Sequence, residues 1–308
     1  MTATEPATAD PTARRRGPRA LLAAVDVRLT APGPAYRLRA VHTLVALVVG
    51  LRLATRDWTA IADRPAVLTT HANLAGWLPA PLPPGALVAL QLAGLLGVVL
   101  VVVRRLPHVG FVLAWVCYAA LTALWGASGK VMHNDVLTVT VGVVLLFASV
   151  PPRGTPPDAR AVRWGWPPRA ALAVLATVYL LTGVQKLRHS GPDWVLSDNL
   201  AWVLRQGSSP FGPELTHLVA DRVWLAQLFA AGALLLELTA PVWLAVRRTR
   251  APFALAVLVM HGSIWAFLGL DYSAWVLTAA AVTVPMSLAD GHRWVGLLGR
   301  LRSRPVQT

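Results

Sequence analysis

Two short stretches of this chain concentrate side chains able to do acid-base chemistry beside a membrane. The first is Gly129-Lys130-Val131-Met132-His133-Asn134-Asp135; the second runs from Tyr179 through Gly183, Lys186 and Arg188 to Gly191-Pro192-Asp193-Trp194. Tyr179, Gly183 and Lys186 are spaced i, i+4, i+7, so on a helix they share one face, and Gly183 leaves room for a backbone or a ligand beside the lysine stem. A lysine held there, partly desolvated and near cations such as Lys130 or Arg188, can serve as a general base. The competing reading is a lysine that snorkels to the outer headgroups. Of the 28 basic residues all but Lys130 and Lys186 are arginine. An anchoring cation needs no lysine, so the retention of lysine at these two positions favours the chemical reading.

His133, with Asn134 and Asp135, can orient a substrate oxygen, shuttle a proton or pair with the lysine. Alternatively Asn134 or Asp135 caps the helix that follows, with His133 in an interfacial belt. Glu237 and His261 fall at the middles of two apolar runs, where an unpaired carboxylate is too costly to persist. The expected partner of Glu237 is His261 or Arg52, forming either a proton relay or a polar pair that fixes helix packing. No run carries two histidines about four turns apart, so no haem is expected. The single cysteine, Cys117, excludes disulfides and cysteine-rich metal centres, so no metal is expected either.

The elements that must position these residues are membrane spans. The chain has 308 residues, of which 56% are hydrophobic and 14% charged, with a mean hydropathy of +0.56, far from a soluble domain. Apolar runs predict an all-α polytopic membrane protein of about eight transmembrane helices at 36–54, 85–103, 109–127, 134–150, 169–186, 224–246, 252–270 and 273–290. The first is the weakest, because Arg39, His42 and Arg52 interrupt it. The domain division is a basic cytoplasmic tail with an interfacial helix at 1–34, a membrane domain at 35–290 and a second basic tail at 291–308. Residues 1–34 contain no apolar h-region of the kind a signal peptide has, so the first span is expected to direct insertion.

The net charge of +14 is explained by topology rather than by nucleic acid. With the N-terminus inside, inner segments carry twenty basic residues and outer segments seven, which places both termini in the cytoplasm of a multi-pass plasma-membrane protein. Tryptophans cluster near both sets of span ends, as an aromatic belt does. Two outer connections, 55–84 and 187–223, are long and rich in Trp, Leu, Pro and Gly, and are expected to fold over the outer face. Within the second, residues 193–205 read as an interfacial helix anchored by Trp194 and Trp202. The partners this implies are the lipid bilayer and a lipid-soluble or extracytoplasmic substrate.

At these residues the chain resembles the horizontally transferred transmembrane (HTTM) domain, the membrane part of vitamin K-dependent gamma-carboxylase. The resemblance is carried by Gly-Lys-x-x-His-Asn-Asp from Gly129, by Tyr-x-x-x-Gly-x-x-Lys-Leu from Tyr179 with Gly191-Pro192-Asp193-Trp194 after it, and by the Glu237-x-x-x-Pro241 and His261 runs; it covers roughly 36–290. It implies Lys186 as the base that deprotonates a vitamin K-like membrane quinol, His133 as its partner, and oxygenation of the quinol to an alkoxide that abstracts a proton from a substrate carbon. It also implies chemistry at the outer face. Gln185 stands where a second lysine can occur, and only about 18 residues follow the last predicted span, with no counterpart of the domain that binds protein substrates. The expectation is therefore an outward-facing quinol site rather than peptide-glutamate carboxylation. A membrane carrier or partner subunit whose buried polar residues are structural is the alternative.

The midplane and outer-face expectations are specific. Glu237 is to meet His261 or Arg52, and Lys186, Lys130 and His133 are to converge on one cavity below the two long outer connections.

Overall fold

A computed structural model describes residue 23 and residues 26–65, 82–127 and 134–288. Within them, six helices are long and apolar enough to cross a bilayer. These are α1 (Ala35–Thr55), α2 (Pro84–Val102), α3 (Pro107–Ala127), α5 (Val162–Ser190), α9 (Val223–Ala245) and α10 (Arg250–Leu268), the last preceded by a 3-10 turn at Arg247–Thr249. The predicted spans at 134–150 and 273–290 correspond to shorter helices, α4 (Val136–Leu146) and α11 (Ser273–Ser287), of 11 and 15 residues. At 1.5 Å per residue they reach about 16 and about 22 Å, against roughly 30 Å of hydrocarbon.

The two short helices are instead central. Nine of the fifteen residues of α11 are buried. Thr138 of α4 and Thr278 of α11 join hydroxyls at 2.8 Å between them. The long helices carry apolar residues on all sides, as membrane helices do. Outward stripes such as Leu92, Leu96 and Val99 on α2 and Leu228, Leu235 and Val242 on α9 are more than half exposed, a surface that only lipid can cover favourably. Close helix contact relies on small residues. A Cβ on Gly97 of α2 would stand 2.5 Å from the carbonyl oxygen of Gly110 on α3, so larger side chains there would force the two helices apart.

The first helix forms in full despite its polar residues. His42 and Arg52 are buried among neighbours, and Arg39 donates to the carbonyl of Pro152 at 2.7 Å. At the basic end of the bundle, β1 (Gly33–Pro34) pairs antiparallel with β2 (Arg160–Ala161), and the amides of Ala35 and Tyr36 bond to the carbonyls of Ala159 and Pro157. This ties the entry to α1 to the connection preceding α5. Helix α5 begins about two turns before the predicted start at 169 and accommodates Pro167 and Pro168 early in its length.

At the opposite end, residues 191–222 form a folded cap rather than an open loop. The predicted interfacial helix at 193–205 is two pieces, α6 (Asp193–Leu196) and α7 (Asn199–Arg205), broken at Ser197-Asp198, followed by α8 (Pro213–Ala220). Trp202 is exposed as an anchor would be, but Trp194 turns toward the bundle. Most of the predicted N-terminal amphipathic helix lies outside the described residues, which are helical over 26–30; the tail 291–308 and residues 66–81 of the first long connection lie outside them as well.

Candidate functional site

Lys186 lies one turn before the end of α5, where the helix reaches the cap, and Glu237 lies at the middle of α9. Lys186 Nζ donates to Glu237 Oε1 at 2.6 Å. Gly183 makes this approach possible. A Cβ there would meet Glu237 Cβ at 3.1 Å and Leu238 Cδ2 at 3.0 Å, so α9 rests directly on the glycine. On the face shared by Tyr179, Gly183 and Lys186, Gly183 and Lys186 thus meet α9, while Tyr179 meets Phe253, His261 and Trp275 of α10 and α11. The ammonium also sits 4.9 Å from the centre of the Trp194 ring, a cation-π contact from the cap.

The partner of Glu237 differs from the expectation. Arg52 is engaged elsewhere, and His261 faces Tyr179, with 3.4 Å between His261 Nε2 and the Tyr179 hydroxyl. That hydroxyl in turn accepts from Trp275 Nε1 at 2.7 Å. A lysine at the helix end reaches the carboxylate because its four-carbon stem spans the depth between the end of α5 and the middle of α9, which counting residues from span ends does not reveal. Behind the pair stand Tyr179, His261, Tyr272 and Trp275, with the His261 and Tyr272 rings 4.9 Å apart. Two buried polar atoms here, Glu237 Oε2 and His261 Nδ1, have no hydrogen-bond partner among the described residues. Buried polar groups left open in this way are uncommon and mark places where water or a ligand group completes the network.

Lys186 opens onto a cavity of about 270 Å³ beneath the cap, where Trp194, Asn199, Ser263 and Tyr272 supply the polar or amphipathic lining and Leu200, Phe229 and Ile264 much of the rest. Phe229, Ala233, Met260 and Ser263 also line a wider groove of about 630 Å³ between α9 and α10, open on the outer side where Leu228, Leu235 and Val259 are exposed. A polar pair at one end of an apolar channel is the geometry of a site for an amphipathic molecule.

Asn134 and Asp135 belong to a second, separate cluster. Asp135 stands at the start of α4 but makes no side-chain cap. Its carboxylate, 1% exposed, accepts from Tyr118 at 2.6 Å, from Arg52 Nε at 3.1 Å and from Arg56 at 2.7 Å. Arg52 continues to Asp271 at 2.6 Å and to Ser273 at 3.2 Å, while Asn134 donates to the Asp271 carbonyl at 2.6 Å. The buried arginine that weakened the first span is therefore neutralised by two carboxylates, and its cluster joins α1, α3, α4 and the start of α11. Burial pushes the Asp271 carboxyl up, but hydrogen bonds from Ser273 and Arg52 outweigh it, so the group lies below the ordinary aspartate value. Asp271 and Tyr272 are adjacent, so the 269–272 connection faces the arginine cluster with one residue and the lysine cavity with the next.

Lys130 and His133 lie outside the described residues, and so does their expected convergence with Lys186. Sequence reasoning did not single out Tyr118, Arg56, Asp271, Tyr272 or Trp275. A buried Arg52 does require carboxylates, and that requirement was the available signal for Asp271. Among the described residues no three His, Cys, Asp or Glu side chains stand together as a metal site. Comparisons with models of protein families, with curated proteins and with solved structures return no match.

Proposed function

We propose that this integral membrane protein is an enzyme acting on a lipid-soluble hydroxyl compound, a membrane quinol by the resemblance to the HTTM domain, with Lys186 as the base at the extracytoplasmic face. The observation that carries the reading is the Lys186-Glu237 pair at 2.6 Å, with the lysine lining the cavity and the carboxylate behind it. At that separation the ammonium can pass its proton to Glu237 Oε1. The neutral amine left facing the cavity then takes the proton of a substrate hydroxyl, and the resulting oxyanion sits beside an ammonium. Glu237 takes the part of proton partner that the resemblance implies for His133. The aromatic lining suits a ring, and the groove between α9 and α10 suits an apolar tail. In this reading all eight apolar helices belong to one HTTM-like unit in the plasma membrane, with both termini cytoplasmic.

A second reading has one specific observation in its favour. Gly183 packs directly on Glu237 and Leu238, so the pair can serve purely to lock α5 to α9 in a carrier or partner subunit. Incubating the purified protein with a naphthoquinol under oxygen and assaying the epoxide separates the two. Turnover that disappears in Lys186→Ala supports the enzyme; absence of turnover in the folded wild type supports the structural reading.

A further inference from the structure

At the end of the bundle opposite Lys186, the α2–α3 connection and the connection after α4 form a cavity of about 390 Å³ whose lining includes Arg104, Arg105, Arg153 and the imidazole of His108. We propose that this cavity binds the phosphate of an anionic phospholipid from the leaflet on the basic side of the membrane.

Among the described residues the charge there has no counterpart. Neither a carboxylate lines the cavity nor does any of Arg104, Arg105 and Arg153 form an ion pair among the described residues. Arg153 is held by the carbonyl of Val103, and Arg39 from α1 holds the Pro152 carbonyl while its own buried Nε has no partner among the described residues. Arg104 is the one non-glycine residue at positive φ among the described residues, at 56°. That left-handed conformation disfavours a side chain with a Cβ, and here it turns the chain between two arginines that line the same cavity. Strain of this kind persists where surrounding structure or function holds it.

The surroundings select a lipid rather than a free anion. Leu106 and Val109 line the cavity and are each 55% exposed, so acyl chains can lie against them while the headgroup phosphate meets the guanidiniums. Arginine suits this role because its planar donors match phosphate oxygens in pairs. In the second basic cavity on this side, lined by Arg28, Arg169 and Arg250, two of the three arginines are held by backbone carbonyls, Arg250 by those of Leu244 and Met286 and Arg169 by that of Leu29, against one of three here.

The test uses the full chain in detergent, titrated with phosphatidylglycerol or phosphatidylcholine, with bound lipids counted by native mass spectrometry. Wild type should retain phosphatidylglycerol selectively, and Arg104→Gln/Arg105→Gln should weaken it roughly ten- to thirtyfold, the effect of removing two arginines from an anionic headgroup. Arg247→Gln/Arg248→Gln, at exposed positions on the same side, should leave the selectivity intact. If the double variant at 104 and 105 does not fold, Arg105→Gln alone, at an exposed position, should still weaken binding several-fold. Equal losses in both pairs would show diffuse surface attraction, and no selectivity in wild type would show no site; either overturns the proposal. Displacement of the bound lipid by inorganic phosphate at millimolar concentration would assign the cavity to a free anion and overturn the lipid assignment.

Discussion

Lys186 Nζ and Glu237 Oε1 stand 2.6 Å apart, joining the cap end of α5 to the middle of α9. The carboxylate is 6% exposed and the lysine 21%, so the lysine is the member that meets the cavity and the glutamate is the one that depends on its partner. Removing the lysine strands a buried charge, whereas removing both members does not. Lys186→Met should therefore destabilise the protein by about 3 kcal/mol or more, and Lys186→Met/Glu237→Leu should recover most of that loss. Thermal unfolding of the single and double variants checks it. A double variant less stable than Lys186→Met would show that the pair stabilises the fold by itself.

The cluster around Asp135 should prove the stronger structural element. Asp135→Asn leaves Arg52 and Arg56 facing a neutral amide, and should cost about 3 to 5 kcal/mol. Tyr118→Phe removes one charge-assisted hydrogen bond and should cost about 1.5 to 3 kcal/mol. Both are read by unfolding in detergent or nanodiscs. Quinol turnover by whatever Tyr118→Phe protein remains folded should match wild type, because the cluster lies apart from the lysine cavity.

Asp271 makes stability depend on acid. Its carboxyl lies below the ordinary aspartate value when folded, so its contribution is fully present above the unfolded value of about 3.9. The contribution is lost as pH falls through the lower, folded value. Asp271→Asn should be less stable than wild type at neutral pH, and the difference should narrow below about pH 4. A constant difference across that range would mean the carboxylate contributes nothing as a charge.

Gly183 sets the distance between α5 and α9. Gly183→Val places branched carbons where Glu237 Cβ and the Leu238 side chain now lie, so the helices must separate. The expected result is loss of turnover together with a destabilisation of about 1 to 3 kcal/mol from overpacking, while Gly85→Ala on α2, where nothing stands within 4 Å, should be silent in both.

Topology is checked by labelling. With Cys117 removed, a cysteine at Ser208 should react with an impermeant maleimide in intact cells, and one at Thr155 should be protected. The reverse pattern would invert the orientation argued from the charge count.

The sequence showed the apolar helices and the face shared by Tyr179, Gly183 and Lys186, because both follow from local spacing. It also singled out Glu237 as needing a partner. What it could not show was which partner, since Arg52, His261 and Lys186 are all far from Glu237 along the chain and only helix packing decides among them. Arg52 was legible as an interruption of the first span but not as the centre of a cluster with Asp135 and Asp271, which are 83 and 219 residues away. The shortness of α4 and α11 was hidden for a related reason. Core helices and spanning helices are equally apolar, and only their ends, set here by Asp135 and Asp271, distinguish them.

In the proposed function Lys186 acts as a base rather than as a cationic anchor. Lys186→Arg tests it most directly, because arginine keeps the positive charge opposite Glu237 but cannot lose a proton near neutral pH. In nanodiscs, with folding checked by unfolding temperature, naphthoquinol epoxidation by Lys186→Arg should fall to the level of Lys186→Ala. Wild-type turnover in Lys186→Arg would contradict the account and leave Lys186 as the counter-charge of a structural pair.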